Sequence, residues 1–76
     1  MTLNELSIVL RKMYDNAPRG DQVAMIHLFG VKYAEEIRKN DYTPKEILKA
    51  ADMHESYQVE INKGIKLSKY VRPINK

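Results

Sequence analysis

Apolar residues recur every three to four positions from the start of the chain: Leu3, Leu6, Val9 or Leu10, Met13 and Tyr14, with Arg11, Lys12 and Asp15 off the stripe. This is the period of a helix with one core-facing side. Thr2 followed by Glu5 three residues later is a capping-box pattern, so the helix is predicted to begin almost at Met1 and to run to about Asn16. Asn16, Ala17, Pro18, Arg19 and Gly20 then form a turn, because Pro18 keeps Ala17 out of the helical region and Gly20 permits unusual backbone angles. A second stripe runs through Val23, Ile26, Phe29 or Gly30, Tyr33, Ala34 and Ile37, and Met25, Leu28 and Val31 add further apolar circumference. The pattern predicts a central helix from Asp21 to Lys39, packed on more than one side. Gly30 costs about 1 kcal/mol in a helix interior, so it either allows close approach of a neighbour or breaks the segment.

The stretch Thr43 to Gly64, TPKEILKAADMHESYQVEINKG, reads as two short helices joined by a tight corner. Thr43, Pro44 and Glu46 make a clear start: a second capping box, with proline at the first helical position. Ile47, Leu48 and Ala51 face inward and Lys45, Glu46 and Lys49 stay wet. Asp52, Met53 and His54 leave room for the corner. Glu55 or Ser56 opens the next helix, which carries Tyr57, Ile61 and Val59 inward until Gly64 ends it. After Gly64, a short helix from about Leu67 to Val71 is expected, interrupted by Pro73, and no hairpin turn signal supports a two-stranded wing. The fold class is therefore all-α: a compact bundle of four to five short helices in a single domain spanning residues 1–76. Its expected core is Leu6, Leu10, Val23, Ile26, Phe29, Ile37, Ile47, Leu48 and Ile61.

The order of elements in TPKEILKAADMHESYQVEINKG resembles the helix-turn-helix of small bacterial and phage DNA-binding proteins, in which the second helix of the pair enters the major groove. The flanking segments MIHLFGVKYAEEI and GIKLSKYV are similar to those of small bacterial proteins described as HTH-like. Two positions depart from the usual pattern. Asp52 stands in the corner where such families place Gly, and Asp tolerates the left-handed backbone better than most residues. Gln58 replaces an apolar residue, which shifts the buried stripe to Met53, Tyr57 and Ile61. The resemblance names a fold and no activity.

Composition narrows the function classes. Seventy-six residues make one small core, burying only about 60% of the unfolded surface. There is no cysteine, so disulfides and thiolate metal sites are excluded, and cytoplasmic residence is expected. Glu5 interrupts any signal-like apolar region, and no apolar run approaches the roughly 20 residues of a membrane span. His27 and His54 lie in different elements, no HExxH spacing occurs, and adjacent Glu35 and Glu36 point about 100° apart on a helix. Neither a metal site nor an enzymatic role is expected, and no cofactor is called for. Tyr14, Tyr33 and Tyr57 fall on core stripes and are read as packing residues.

Charge is unevenly distributed. Residues 1–60 hold eight Lys and Arg against ten Asp and Glu, whereas residues 61–76 hold Lys63, Lys66, Lys69, Arg72 and Lys76 with no acid. That basic end is either a phosphate-binding edge directly after the reading helix or a solvated helix end favouring the C-terminal dipole. Two functions of different class follow. In the first, the protein is a transcriptional regulator reading duplex DNA, with Ser56, Gln58, Asn62 and Lys63 toward base edges and Thr43, Lys45, Lys66 and Lys69 on phosphates. Glu55 and Glu60 oppose it, since carboxylates near phosphate are repelled. In the second, the shape serves a protein partner or a homodimer through Met25, Leu28 and Met53, as in a phage or mobile-element regulator or inhibitor.

Overall fold

The computed structural model describes residues 1–74, in which the chain forms α1 (Leu3–Asp15), α2 (Gln22–Lys39), α3 (Pro44–Ala50), a 3-10 turn (Glu55–Tyr57) and α4 (Gln58–Leu67). No strand occurs among the described residues. Both capping boxes form as their sequences dictate. The Thr2 hydroxyl accepts from the Glu5 N–H at 3.1 Å, and the Glu5 carboxylate accepts from the Thr2 N–H at 2.8 Å. The bond from the Thr2 N–H is the main cause holding the Glu5 carboxyl below its usual value. Thr43 and Glu46 repeat the arrangement at 3.2 and 2.9 Å and fix the start of α3.

Two helices end in the same way, with aspartate in the left-handed region. Asp41 has φ 58° and Asp52 has φ 56°. Beyond α2, the Tyr42 N–H donates to Ile37 O at 3.1 Å and the Asp41 N–H to Arg38 O at 3.1 Å. Beyond α3, Met53 donates to Leu48 O at 2.9 Å and Asp52 to Lys49 O at 3.2 Å. These are paired Schellman bonds, and in each case the following apolar residue, Tyr42 or Met53, packs on the core. Asp52 thus supplies the corner conformation for which glycine is the usual choice.

The core is Leu6, Leu10, Ile26, Phe29, Ile47, Leu48 and Ile61, each with no exposed surface, closed by Ile37, Ala34 and Ala51. Of the nine residues expected there, Val23 is the exception at 42% exposed. It lies in the first turn of α2, one turn before His27, which is itself at the rim of the bundle. Ser7, by contrast, is buried, and its hydroxyl is satisfied by donating to Asn4 O at 2.7 Å.

Three expectations about the second half are corrected. Gly64 does not end a helix; it lies inside α4 and meets α2 face to face. A Cβ on Gly64 would overlap His27 O, and one on Gly30 would lie 2.6 Å from Ile61 O and 2.9 Å from the Gly64 Cα. Gly30 is accordingly a point of close approach. α2 is continuous through it and departs from helical angles at Tyr33 instead (φ −112°, ψ 15°). Val59 faces outward, 56% exposed, because the turn that brings Ile61 and Gly64 onto α2 points residue 59 the opposite way. No separate helix forms over Leu67 to Val71. α4 runs on to Leu67, Tyr70 and Val71 both donate to Leu67 O at 2.9 and 3.0 Å, and the chain then extends to residue 74. Pro73 disfavours helical angles at Arg72, and Tyr70, Val71 and Ile74 are exposed, so no buried stripe holds a helix there.

Candidate nucleic-acid interface

α3, its corner and α4 form the paired-helix unit. The corner is held from outside by Arg11 of α1, whose guanidinium donates to Asp52 O at 3.0 Å and Ala51 O at 3.5 Å while pairing with Asp15 at 3.0 Å. Residues forty positions away in sequence thereby satisfy carbonyls that the end of α3 leaves open. His54 caps the 3-10 turn: its Nδ1 accepts from the Ser56 N–H at 3.0 Å and lies 2.9 Å from the Ser56 hydroxyl. Behind the turn, Tyr57 and Tyr14 bring their hydroxyls to 3.1 Å and their ring centroids to 5.7 Å, which raises the Tyr57 phenol above its usual value. Arg38 donates to Ile65 O at 3.3 Å and ties the far end of α4 to α2.

The inner and outer faces of α4 are sharply divided. Ile61 and Gly64 are buried against α2, with Ile65 half-buried beside them. At about 100° per residue, Val59, Asn62, Lys63 and Lys66 fall within an arc of about 100° on the opposite side. All four are exposed. Gln58 is half-buried at one shoulder of this arc and Glu60 at the other.

Glu60 is folded back. The His27 Nε2–H donates to its Oε1 at 2.6 Å, and the Lys63 ammonium lies 3.6 Å from the same oxygen. The bond from His27 holds the Glu60 carboxyl below its usual value, with Lys63 adding to the effect. This pairing was not legible in the sequence, where His27 and Glu60 lie thirty-three positions apart and no spacing relates them.

Of the eight residues singled out from the sequence, Gln58 is half-buried at the shoulder of the arc, and the other seven divide as follows. Asn62 and Lys63 stand on the outer arc of α4, together with Lys66. Ser56 is exposed, but in the 3-10 turn and engaged with His54. Thr43 uses its hydroxyl oxygen as the α3 cap, leaving its proton free to donate. Lys45 is exposed on α3, where with Lys49, Met53 and Glu55 it lines a depression of about 230 Å³. Glu55 thus lines the same depression as the two lysines. Lys69 follows in the turn after α4, exposed. Of the three apolar residues considered for a partner surface, Met25, Leu28 and Met53 are all half-buried, and Met53 belongs to the core's edge. No helix among the described residues is long and apolar enough to cross a membrane.

A capped short helix, a left-handed corner and a second helix with one face packed and the other open define a helix-turn-helix-like domain. A family model described as HTH-like domain matches residues 2–74, and the chain belongs to that family. No curated protein and no solved structure gives a significant match.

Proposed function

We propose that this protein is a cytoplasmic, non-enzymatic regulator of transcription that binds duplex DNA by laying the outer face of α4 in the major groove. The observation that carries this reading is the withdrawal of Glu60. With its carboxylate bonded to His27 at the shoulder, the outer arc holds Val59, Asn62, Lys63 and Lys66 and no acid. Such a face can approach phosphates without repulsion, and its amide and ammonium groups match major-groove acceptors and donors. Asn62 and Lys63 would meet base edges, with Ser56 and Gln58 at the start of the helix. Lys66 and Lys69 beyond it, and Thr43 and Lys45 on α3, would hold the backbone on either side.

One paired and one single substitution test the division of labour. Lys66→Gln with Lys69→Gln should weaken binding to every DNA sequence alike and flatten the salt dependence by roughly 2 units, since two fewer counterions are released. Asn62→Ala should leave non-specific affinity nearly intact and cost about 1–3 kcal/mol only on the preferred site. Binding at about 50 mM salt no stronger than that of a generic basic peptide would end the DNA reading.

A second reading, docking of a protein partner or a second copy, is favoured by one feature. A groove of about 370 Å³ at the far end of α4 is lined by His27, Lys63, Lys66, Leu67 and Tyr70. Tyr70 there is 83% exposed. A complex formed through this apolar groove would be nearly indifferent to salt, whereas DNA affinity would fall steeply with it.

A further inference from the structure

We propose that Val59 is a specificity-determining residue that reads the 5-methyl group of a thymine, beside an adenine read by Asn62. The inference rests on the DNA-binding reading and goes further by naming the base pairs that α4 selects. Val59 lies near the middle of the outer arc, 56% exposed, and the other three side chains of that arc are polar or charged. Among the described residues no neighbouring element covers it: α2 takes the opposite face of α4, and the groove near Tyr70 is lined without it. The only apolar group that base pairs present in the major groove is the thymine methyl, and a valine at the surface of a reading helix has the chemistry to cover it.

Two further observations fix the choice of base. First, Glu60 is the only carboxylate on α4 and is committed to His27 and Lys63. The outer arc thus lacks an acceptor-only group for a cytosine amino donor, and a methyl contact is a means by which this arc can favour thymine over cytosine. Second, Val59 and Asn62 are three residues apart, about 4.5 Å along the helix axis, which is close to the roughly 3.4 Å step between base pairs. The two side chains therefore meet the same or adjacent pairs, and an asparagine amide bonds both N6 and N7 of adenine. The preferred site contains A·T pairs opposite the first half of α4, followed by a position where the Lys63 ammonium can reach guanine O6 or N7.

The experiment uses a duplex selected by the purified protein from a random-sequence pool. Each thymine is replaced in turn by deoxyuridine, which removes the methyl group and leaves pairing intact, and binding is measured for the parent, Val59→Ala and Val59→Thr. At one position the parent should lose about fourfold in affinity, the equivalent of one methyl group left uncovered. Val59→Ala should be weaker on the thymine duplex and indifferent to deoxyuridine at that position, and Val59→Thr, which keeps one methyl, should fall between. All three should bind an unrelated duplex equally. If the three proteins respond identically to every deoxyuridine while still preferring the selected duplex, the role of Val59 is overturned and the DNA-binding reading stands. If none of them binds DNA, both fall together.

Discussion

Replacing Gly64 by alanine sets two well-understood effects against each other. By helix propensity alone, alanine inside α4 should stabilise by about 1 kcal/mol. The packing says otherwise. A Cβ at this position would overlap His27 O and lie 2.9 Å from the Gly30 Cα and 3.0 Å from His27 C, against 3.4 Å or more for ordinary contact. Every one of these atoms is α2 backbone, so no side-chain rotation relieves the clash, and α4 must move away by about 1 Å. A gap of that size forfeits roughly a quarter to a half of the dispersion attraction across an interface. The loss falls on buried Ile61 and its neighbours. Overpacking of this kind costs about 1–3 kcal/mol, occasionally more. Gly64→Ala should therefore be destabilised by about 1–3 kcal/mol in urea unfolding followed by circular dichroism, with Tm lowered by roughly 4–8 °C for each kcal/mol. Gly30→Ala, whose Cβ would meet Ile61 O at 2.6 Å, should behave alike. Both variants melting at or above the parent would refute the argument and leave propensity as the deciding term.

Leu48 has no exposed surface, and truncating it to alanine should cost about 2–5 kcal/mol, much of the stability of so small a domain; a variant that melts like the parent would place Leu48 outside the core. The Glu60 carboxyl is lowered first by its bond from His27 and the Glu36 carboxyl by its bond from the amine of Met1. Because the folded values lie below the ordinary value of 4.5, the unfolded chain binds more protons in acid, so this contribution is complete above about pH 4.5 and is lost as the pH falls through the folded values. Melting temperature should decline below that pH, and Glu60→Gln should show a shallower decline; parallel curves for parent and variant would show that the pair does not feel folding.

Where the sequence was legible, a local rule was sufficient. Thr2, Glu5, Thr43, Pro44 and Glu46 are caps whose partners lie three residues away, and the helix starts they predict are the ones that form. The buried stripes of α1 and α2 followed from period alone, as did the exposed position of Lys45 and Lys49 on α3. The failures needed partners distant in sequence. Val23 fits the stripe of α2, but its burial depends on where α4 begins to cover that helix. Gly64 reads as a helix stop until Gly30 is seen opposite it, at which point both glycines have the same explanation. The error at Val59 was local instead: two residues before Ile61 it stands about 160° away on a helix, so the turn that buries Ile61 points Val59 out. For the candidate interface, charge counting located the basic end of the chain, whereas the folding back of Glu60 depended on a histidine in another helix.

The orientation of α4 is set by contacts that lie entirely behind its outer face. The glycine pair sets the distance to α2, the left-handed Asp52 sets the angle to α3, and Arg11 holds the corner by its carbonyl oxygens. None of these residues belongs to the outer arc, so the side chains at 59, 62, 63 and 66 are free to vary without disturbing the packing that presents them. Glu60 and His27 occupy the boundary between the two sets. Their bond satisfies a half-buried carboxylate, and it also keeps that negative charge off the positive face that α4 presents. A change at His27 would act on the face without touching it, by releasing a carboxylate toward the phosphates, which is why the electrostatics of this surface have to be read from two helices together.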